Sequence, residues 1–411
     1  MLVDQLPFHR SAGTPKRSEL QLYAFKGGSS AWAQIPLQLD PLDKDGSLIF
    51  PEDKDWFSKK IDPRDRISFN VEDFGKRFDG KTPTPCAHTQ WLEISEHGRY
   101  AYLFDCRGPS LRQGNFESPV VHDEKQRVVG SPYYRFRYSE RNHLVFDEIQ
   151  IKTKDSEDFL GVASRSDLVI VGDVKNFFTM VFDAENFDAR IVQKRSGPLG
   201  LMGGLEFFLK ILAFKIELAL MPEVNFFHDA LFMPMTMYLP VDAKKYLRRG
   251  SGVYYTWESS PEMVWLFQES KMEELDLATI DPDNEGESKD KSKGDGARPP
   301  AQYCDEQRCR FSLVGKMRER RFVMDFIISR QAADLGFFPR LIRDTKAVEK
   351  QLGRPVSRFE KSSRMGIYFE SARLPKGTHA WDFWIYFPET GSDCEHKLSV
   401  RRVEASRMGY E

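Results

Sequence analysis

The stretch Gln34-Ile35-Pro36-Leu37-Gln38-Leu39-Asp40 carries an apolar side chain at every second position through Leu39, and Ile67-Ser68-Phe69-Asn70-Val71 repeats the pattern. A period of two sends alternate side chains to opposite faces of a pleated strand, so each run describes a strand with one face turned to a core. Short runs of this kind, broken by turn residues, recur from Leu20 to about Val403. The fold class that follows is all-β: a large antiparallel β-sandwich assembly with one short helix and a disordered insertion.

Composition supports a large core and narrows the partners. The 411 residues include 32 Phe, 14 Tyr and 7 Trp, large side chains that suit sheets packed face to face. With 60 Lys plus Arg against 62 Asp plus Glu, bulk charge draws the chain to neither nucleic acid nor anionic lipid, and nucleic acid is not an expected partner. Met1 to Arg10 lacks the apolar core of a signal peptide, although a mature chain would look the same.

Leu205 to Met221 fits both a strand and a helix template. As a strand, Leu212, Phe214, Ile216, Leu218 and Leu220 share a face with Lys215 and Glu217 opposite; as a helix, Lys215 falls on the apolar side. Strands are therefore expected, with Val224 to Leu239 pairing back around Pro222. Charges at Glu206, Lys210, Lys215 and Glu217 argue against a transmembrane segment, which needs roughly twenty predominantly apolar residues.

Asp281 to Pro300 carries six acids, four bases and one apolar residue, Ala297, too little to order itself, and reads as a flexible linker or inserted loop. The expected organisation is a β-sandwich over 1–280, the disordered segment over 281–300, and over 301–411 a β-rich continuation of the same sheets or a small second β domain. Hairpins are expected for Tyr133–Tyr138 with Leu144–Ile151 and for Phe177–Phe182 with Phe187–Gln193. Asp344 as N-cap and Gly353 with Pro355 beyond it mark the one helix.

Cys86 and Cys106 flank a hairpin of Trp91–Ser95 and Tyr100–Asp105, and Cys304 and Cys309 bracket a short turn. Two disulfides are expected on that geometry, which points to an extracytoplasmic protein, periplasmic or secreted; buried free thiols in a cytoplasmic protein are the competing reading.

Several stretches carry chemical letters. Gly75 to Thr82 matches the phosphate-loop pattern G-x-x-x-x-G-K-[ST], yet Pro83 and Pro85 deny it the helix that a phosphate site needs. Asp40, Asp43, Asp45 and Glu52 lie in an acidic turn whose oxygens could ligate Ca2+, against the plainer reading of a solvated turn; Pro41 and Pro51 exclude an EF-hand. The pairs Cys86/His88 and Cys394/His396 lack the spacing of common zinc sites. His228 with Asp229, and His379 with Asp382, are the histidine–carboxylate pairs with general acid–base chemistry, a residue pairing that is more often structural.

In Trp381–Phe387, one face is Trp381, Phe383, Ile385 and Phe387, which leaves Asp382, Trp384 and Tyr386 on the other. Aromatic rings beside a carboxylate suit sugar rings or a protein interface, unless a second layer covers both faces. The function read from these features is a non-catalytic extracytoplasmic protein binding a glycan or a protein partner through an aromatic sheet face. The alternative is a carbohydrate-active lyase, hydrolase or epimerase with dispersed His and Asp or Glu residues, which leave no local motif.

Overall fold

A computed structural model describes residues 14–27, 31–42, 44, 48–50, 56–96, 98–107, 116–153, 157–175, 177–183, 186–211, 214–217, 223–239, 241–248, 250–266, 304, 306–318, 320–342, 365–387 and 404–410. Among these, strand accounts for 60% and helix for 6%, and the sheets are antiparallel. The expected linker at 281–300 and helix at 344–353 lie outside the described residues. The chain forms two compact units, one from 1–120, 193–202 and 393–411 and the other from 121–192 and 203–392.

The first unit contains β1 (Leu20–Phe25), β2 (Trp32–Ile35), β3 (Gln38–Asp40), β4 (Arg66–Ser68), β5 (His88–Glu96) and β6 (Arg99–Cys106). Strands β2, β1, β6 and β5, in that order, form a sheet that Glu404–Tyr410 completes at the β5 edge, while β3 pairs with β4. Alternation sorts the side chains of β1 into two cores. Leu20, Leu22 and Ala24 join Ile35, Leu92, Ile94 and Leu103 in an aliphatic cluster, whereas Tyr23 and Phe25 join Tyr102 and Phe104 on the aromatic face.

The run that opens on Gln34 divides at Pro36, which cannot donate to a ladder, into β2 and β3. The later run forms β4 and then leaves the sheet, because Asn70 caps a 3-10 turn at Val71–Asp73 by accepting from the Glu72 amide. Over the aromatic face, Gly75 and Lys76 bridge to Tyr100 and Phe25, and the Phe78 amide donates to the Tyr102 hydroxyl at 2.6 Å. The phosphate-loop letters thus form a strap. Asp79 accepts from the Lys81 and Thr82 amides at 2.9 and 3.0 Å, so these amides are already committed to a side chain of the same turn.

Cys86 and Cys106 form a disulfide at the open end of the β5–β6 hairpin, with S–S 2.04 Å, and Cys304 and Cys309 form the second pair, with Cα atoms 4.1 Å apart. The first closes a loop across a sequence separation of 20 residues, worth about 3 kcal/mol in the loop-entropy account. Cys106→Ser should therefore lower the stability of this unit by about 3 kcal/mol. Chemical denaturation with and without reductant tests it: equal shifts on reducing the parent protein and on making the substitution support the assignment, and a denaturation midpoint indifferent to both rejects it.

The second unit contains β7 (Val121–Asp123), β8 (Val128–Gly130), β9 (Tyr134–Tyr138), β10 (Phe146–Lys152), β11 (Phe159–Asp173), β12 (Thr179–Phe182), β13 (Phe187–Ser196), β14 (Gly200–Ile211), β15 (Phe214–Glu217), β16 (Glu223–Phe227), β17 (Ala230–Leu239), α1 (Ala243–Tyr246), β18 (Gly252–Ser259), β19 (Val264–Leu266), β20 (Arg308–Met317), β21 (Arg320–Ser329), α2 (Arg330–Asp334), β22 (Pro339–Ile342), β23 (Met365–Glu370) and β24 (Gly377–Tyr386). Residues 193–202, at the turn between β13 and β14, belong to the first unit. One sheet runs β22-β23-β18-β11-β10-β9-β8-β7 with β12 beside β11; the other runs β13-β14-β16-β17-β24-β21-β20-β19 with β15 beside β14. Strands from either side of residues 281–300 therefore share sheets, β24 lying between β17 and β21.

The two sheets meet through aromatic rings. Phe136 of β9 faces Phe226 of β16 at 5.6 Å, Tyr255 of β18 faces Phe383 of β24 at 6.3 Å, and Phe369 of β23 faces Phe326 of β21 at 5.5 Å. These contacts fill the interior of a β-sandwich.

Strand pairing corrects the expected hairpins in two places. The turn between Phe182 and Phe187 forms, yet β12 joins β11 while β13 joins β14 in the other sheet, so the chain changes layer there. The expected strands form as β14 and β15, and β16 of the Val224 run does pair with β14, but β14 also folds back on β15 with Ile211 opposite Phe214. The Val224–Leu239 run makes its own hairpin, β16 with β17, around His228 and Asp229, because these two polar residues supply the break. Two short helices, α1 and α2, have no strong sequence period; Ser329 caps α2 by accepting from the Ala332 amide at 3.2 Å.

Candidate functional site

The outward face of β17, β24, β21 and β20 gathers the polar and aromatic groups of most interest. Register sets this face: Phe232 lies opposite Trp384, Trp384 opposite Asp325, and Asp325 opposite Ser312. Residues two apart on β24 share a side, so Asp382, Trp384 and Tyr386 project together while Trp381, Phe383, Ile385 and Phe387 are buried. The aromatic row is continuous. Phe232 stacks on Trp384 at 4.2 Å and 24°, and Trp384 lies 5.4 Å from Tyr386 with rings 5° from parallel.

Trp384 and Asp382 are partly exposed and Tyr386 is buried, so this face is covered at the Tyr386 end and open toward Asp382. The Trp384 Nε1, the Tyr386 hydroxyl and the Arg310 Nε are buried and find no hydrogen-bond partner among the described residues. Arg310 is held by its Nη2, 2.5 Å from the Asp325 carboxylate. Arg308 Nη1 lies 3.9 Å from Asp382.

Burial governs the electrostatics. It pushes the Asp325 carboxyl above its ordinary value against the pull of Arg310, and pushes Asp382 up against the pull of Arg308. The Tyr386 hydroxyl is held far above its ordinary value, first by burial and then by the charge of Asp325, with Asp229 and Asp382 adding to it and Arg310 opposing. A carboxyl raised in the folded state binds its proton more tightly there than when unfolded, so stability falls as pH rises through that window. Asp382→Asn should stabilise the protein near neutral pH, and this advantage should vanish below roughly pH 4, where both states are protonated. Thermal melts at the two pH values check the sign; an equal effect at both would show that ionisation of Asp382 is not what matters.

The remaining sequence candidates separate. His228 is exposed and sets its ring edge against Tyr133 at 4.5 Å, while Asp229 accepts from the Phe387 amide through its backbone carbonyl at 2.8 Å. His379 lies an odd three residues from Asp382, so the two project from opposite faces of β24; its Nε2 is 2.9 Å from the Pro375 carbonyl. The structure does not bring that pair together.

Of the acidic turn, only Asp40 is described. It is fully buried, with Arg66 at 3.6 Å and Arg195 at 3.9 Å, while Asp43, Asp45 and Glu52 lie outside the described residues. No group of three or more metal-ligating side chains occurs among the described residues. The Cys86 sulfur is in a disulfide, and the His88 Nδ1 lies 2.9 Å from the Cys86 carbonyl.

Sequence reasoning found Asp382, Trp384 and Tyr386 as one face and missed Phe232, Asp325 and Arg310. Asp325 was detectable as the single charge inside the apolar run Phe322–Ser329, since an isolated carboxylate at a core-like position needs a partner or a role.

No protein-family model and no curated protein matches the chain. Among solved structures it is similar to a protein in glycosyl hydrolase family 38 from Enterococcus faecalis, at 8% identity and TM-score 0.37, over 94% of this chain and 40% of that one. It is also similar to an α-mannosidase from Enterococcus faecalis V583, at 9% identity and TM-score 0.29, over 76% of this chain and 39% of that one. The chain thus spans less than half the length of these neighbours, and likeness at this level carries no argument about activity. No described helix is long and apolar enough to cross a membrane.

Proposed function

We propose that this protein is a non-catalytic β-sandwich binding protein that holds a glycan on the Phe232, Trp384, Tyr386 and Asp382 face. The observation that carries this reading is a continuous aromatic row, Phe232, Trp384 and Tyr386, that opens to solvent at the partly exposed Trp384 and Asp382. A sugar ring offers an apolar C–H surface for aromatic contact together with hydroxyls that a carboxylate can bind. Asp382, at the open end, would accept from a sugar hydroxyl. The two disulfides support an extracytoplasmic setting, where such bonds persist.

Screening the purified chain against a panel of neutral and acidic oligosaccharides, followed by calorimetry on any that bind, tests the reading. Trp384→Ala should weaken binding about 30-fold, equivalent to ~2 kcal/mol. If no glycan is retained, or if affinity is indifferent to Trp384→Ala, the assignment of this face to glycans fails; capture of a protein through the same residues would point to the protein partner instead.

A carbohydrate-active enzyme is the second reading, and the raised carboxyls of Asp325 and Asp382 on one face favour it, since a carboxylic acid that keeps its proton serves as a general acid. Turnover of a bound glycan that Asp382→Asn abolishes while binding persists would select this reading over simple binding.

A further inference from the structure

Among the described residues nine large hydrophobic side chains are exposed, and Phe177, Phe178, Met180, Val241 and Tyr246 belong to two neighbouring segments, so this exposure is concentrated rather than scattered. Phe177 and Phe178 stand 81% and 58% exposed in the turn between β11 and β12. The turn is closed by the Val174 amide donating to the Phe178 carbonyl at 2.9 Å and the Phe177 amide donating to the Val174 carbonyl at 3.2 Å. The α1 segment is pinned beside it: the Lys175 amide donates to the Tyr246 carbonyl at 2.8 Å, the Arg248 amide donates to the Asp173 carbonyl at 2.8 Å, and Val174 bridges Leu247.

The surrounding charge has a sign. Lys175, Lys244, Lys245 and Arg248 face Asp173 and Asp242 across these segments, and both acids are engaged: Asp173 accepts from the Thr179 hydroxyl at 2.8 Å and Asp242 lies 3.8 Å from the Lys245 Nζ. Lys244 is exposed, and the Lys175 Nζ donates to the neutral Lys244 carbonyl at 3.2 Å, so the segment keeps a net positive charge.

We infer that the Phe177–Phe178 turn, together with Tyr246 and its lysines, is a docking site for an anionic lipid surface. Two adjacent aromatic side chains at a protruding turn enter the headgroup region, where aromatic rings concentrate. Lysines behind them reach back to lipid phosphates, and local charge of this kind acts within a Debye length even where the whole chain is near neutral. A flat apolar patch with a polar rim would suit a protein partner better than this exposed tip with basic flanks. The site is separate from the proposed glycan face, and glycan binding does not depend on it.

Co-sedimentation of the full chain with vesicles of phosphatidylcholine alone, and with about a third phosphatidylglycerol, tests the inference. Binding should require the anionic lipid and weaken as salt is raised. The double substitution Phe177→Ser with Phe178→Ser should reduce partition at least about tenfold, and Lys175→Glu with Lys244→Glu should abolish the preference for anionic vesicles. Because these residues are exposed or partly so, circular dichroism should show unchanged folding; should the double variant misfold, Phe177→Trp with brominated lipids reports insertion by quenching of the new indole. Absence of binding by the parent chain, binding unaffected by either pair, no added quenching from the indole, or self-association lost with the Phe pair would overturn the lipid assignment.

Discussion

Phe326→Ala should destabilise the larger unit by about 3–5 kcal/mol, the range for truncating a buried aromatic to a methyl. The Phe326 ring is 2% exposed, stacks on Phe383 in its own sheet at 4.9 Å and 11°, and meets Phe369 of the facing sheet edge-on at 5.5 Å. Its removal therefore opens a gap between layers, where neither sheet can close in without disturbing its own hydrogen-bonded register. A loss of this size corresponds to a melting point lower by roughly 6–20 °C for a unit of this length. Phe177→Ala, at an exposed ring of the same unit, is the matched control and should shift the midpoint little. A Phe326→Ala midpoint within a degree of the parent would mean that the sheets do not meet at this ring.

Gly252→Ala should be comparably severe, about 3 kcal/mol or more, by the opposite mechanism of overpacking. A methyl group built on Gly252 would sit 2.0 Å from the Phe369 carbonyl oxygen and 2.7 Å from the Tyr368 ring, and the first of these is backbone that cannot swing aside. Separating β18 from β23 there would also pull on Ser251, whose carbonyl accepts from the Ser371 amide at 2.9 Å and whose hydroxyl accepts from the Asp173 amide at 2.9 Å. Gly366 marks the other end of the same pairing, 2.4 Å from the Tyr255 carbonyl oxygen by the same construction, so both ends of this ladder depend on a missing side chain. Urea denaturation of Gly252→Ala beside Gly27→Ala, which has open space around it but φ +76°, compares steric crowding with the strain of a side chain at positive φ. A smaller loss at Gly252 than at Gly27 would refute the close approach.

Local pattern revealed the strands well because a period of two is a property of neighbours in sequence. The Trp381–Phe387 alternation correctly separated the buried Phe383 and Ile385 from the outward Asp382 and Trp384. What neighbours cannot encode is the partner that a strand will choose. Asp183 and Asn186 make the expected turn, with the Asn186 amide donating to the Asp183 carbonyl at 2.9 Å and the Asn186 Oδ1 accepting from the Asp183 amide at 2.9 Å. The same turn serves a hairpin or a crossing between layers, and here β12 and β13 part into different sheets. The site was legible to the extent that it lay on one strand. Asp325 and Arg310 reach it from β21 and β20 through cross-strand register, which only the assembled sheet defines, whereas the proximity of His379 to Asp382 in sequence is undone by the pleat.

The pairing of Glu404–Tyr410 with β5, residue Met408 opposite Leu92, has a consequence for biosynthesis. During translation the β5 edge emerges about 300 residues before the strand that covers it, a delay of roughly 15–60 s at ordinary elongation rates of 5–20 residues per second. Through that interval the five-stranded sheet is one strand short, and an uncovered edge recruits other chains as readily as its own. Completion of this sheet is thus a high-contact-order event that waits for the chain to be made past residue 404, and the nascent chain depends on holding its β5 edge out of reach until then.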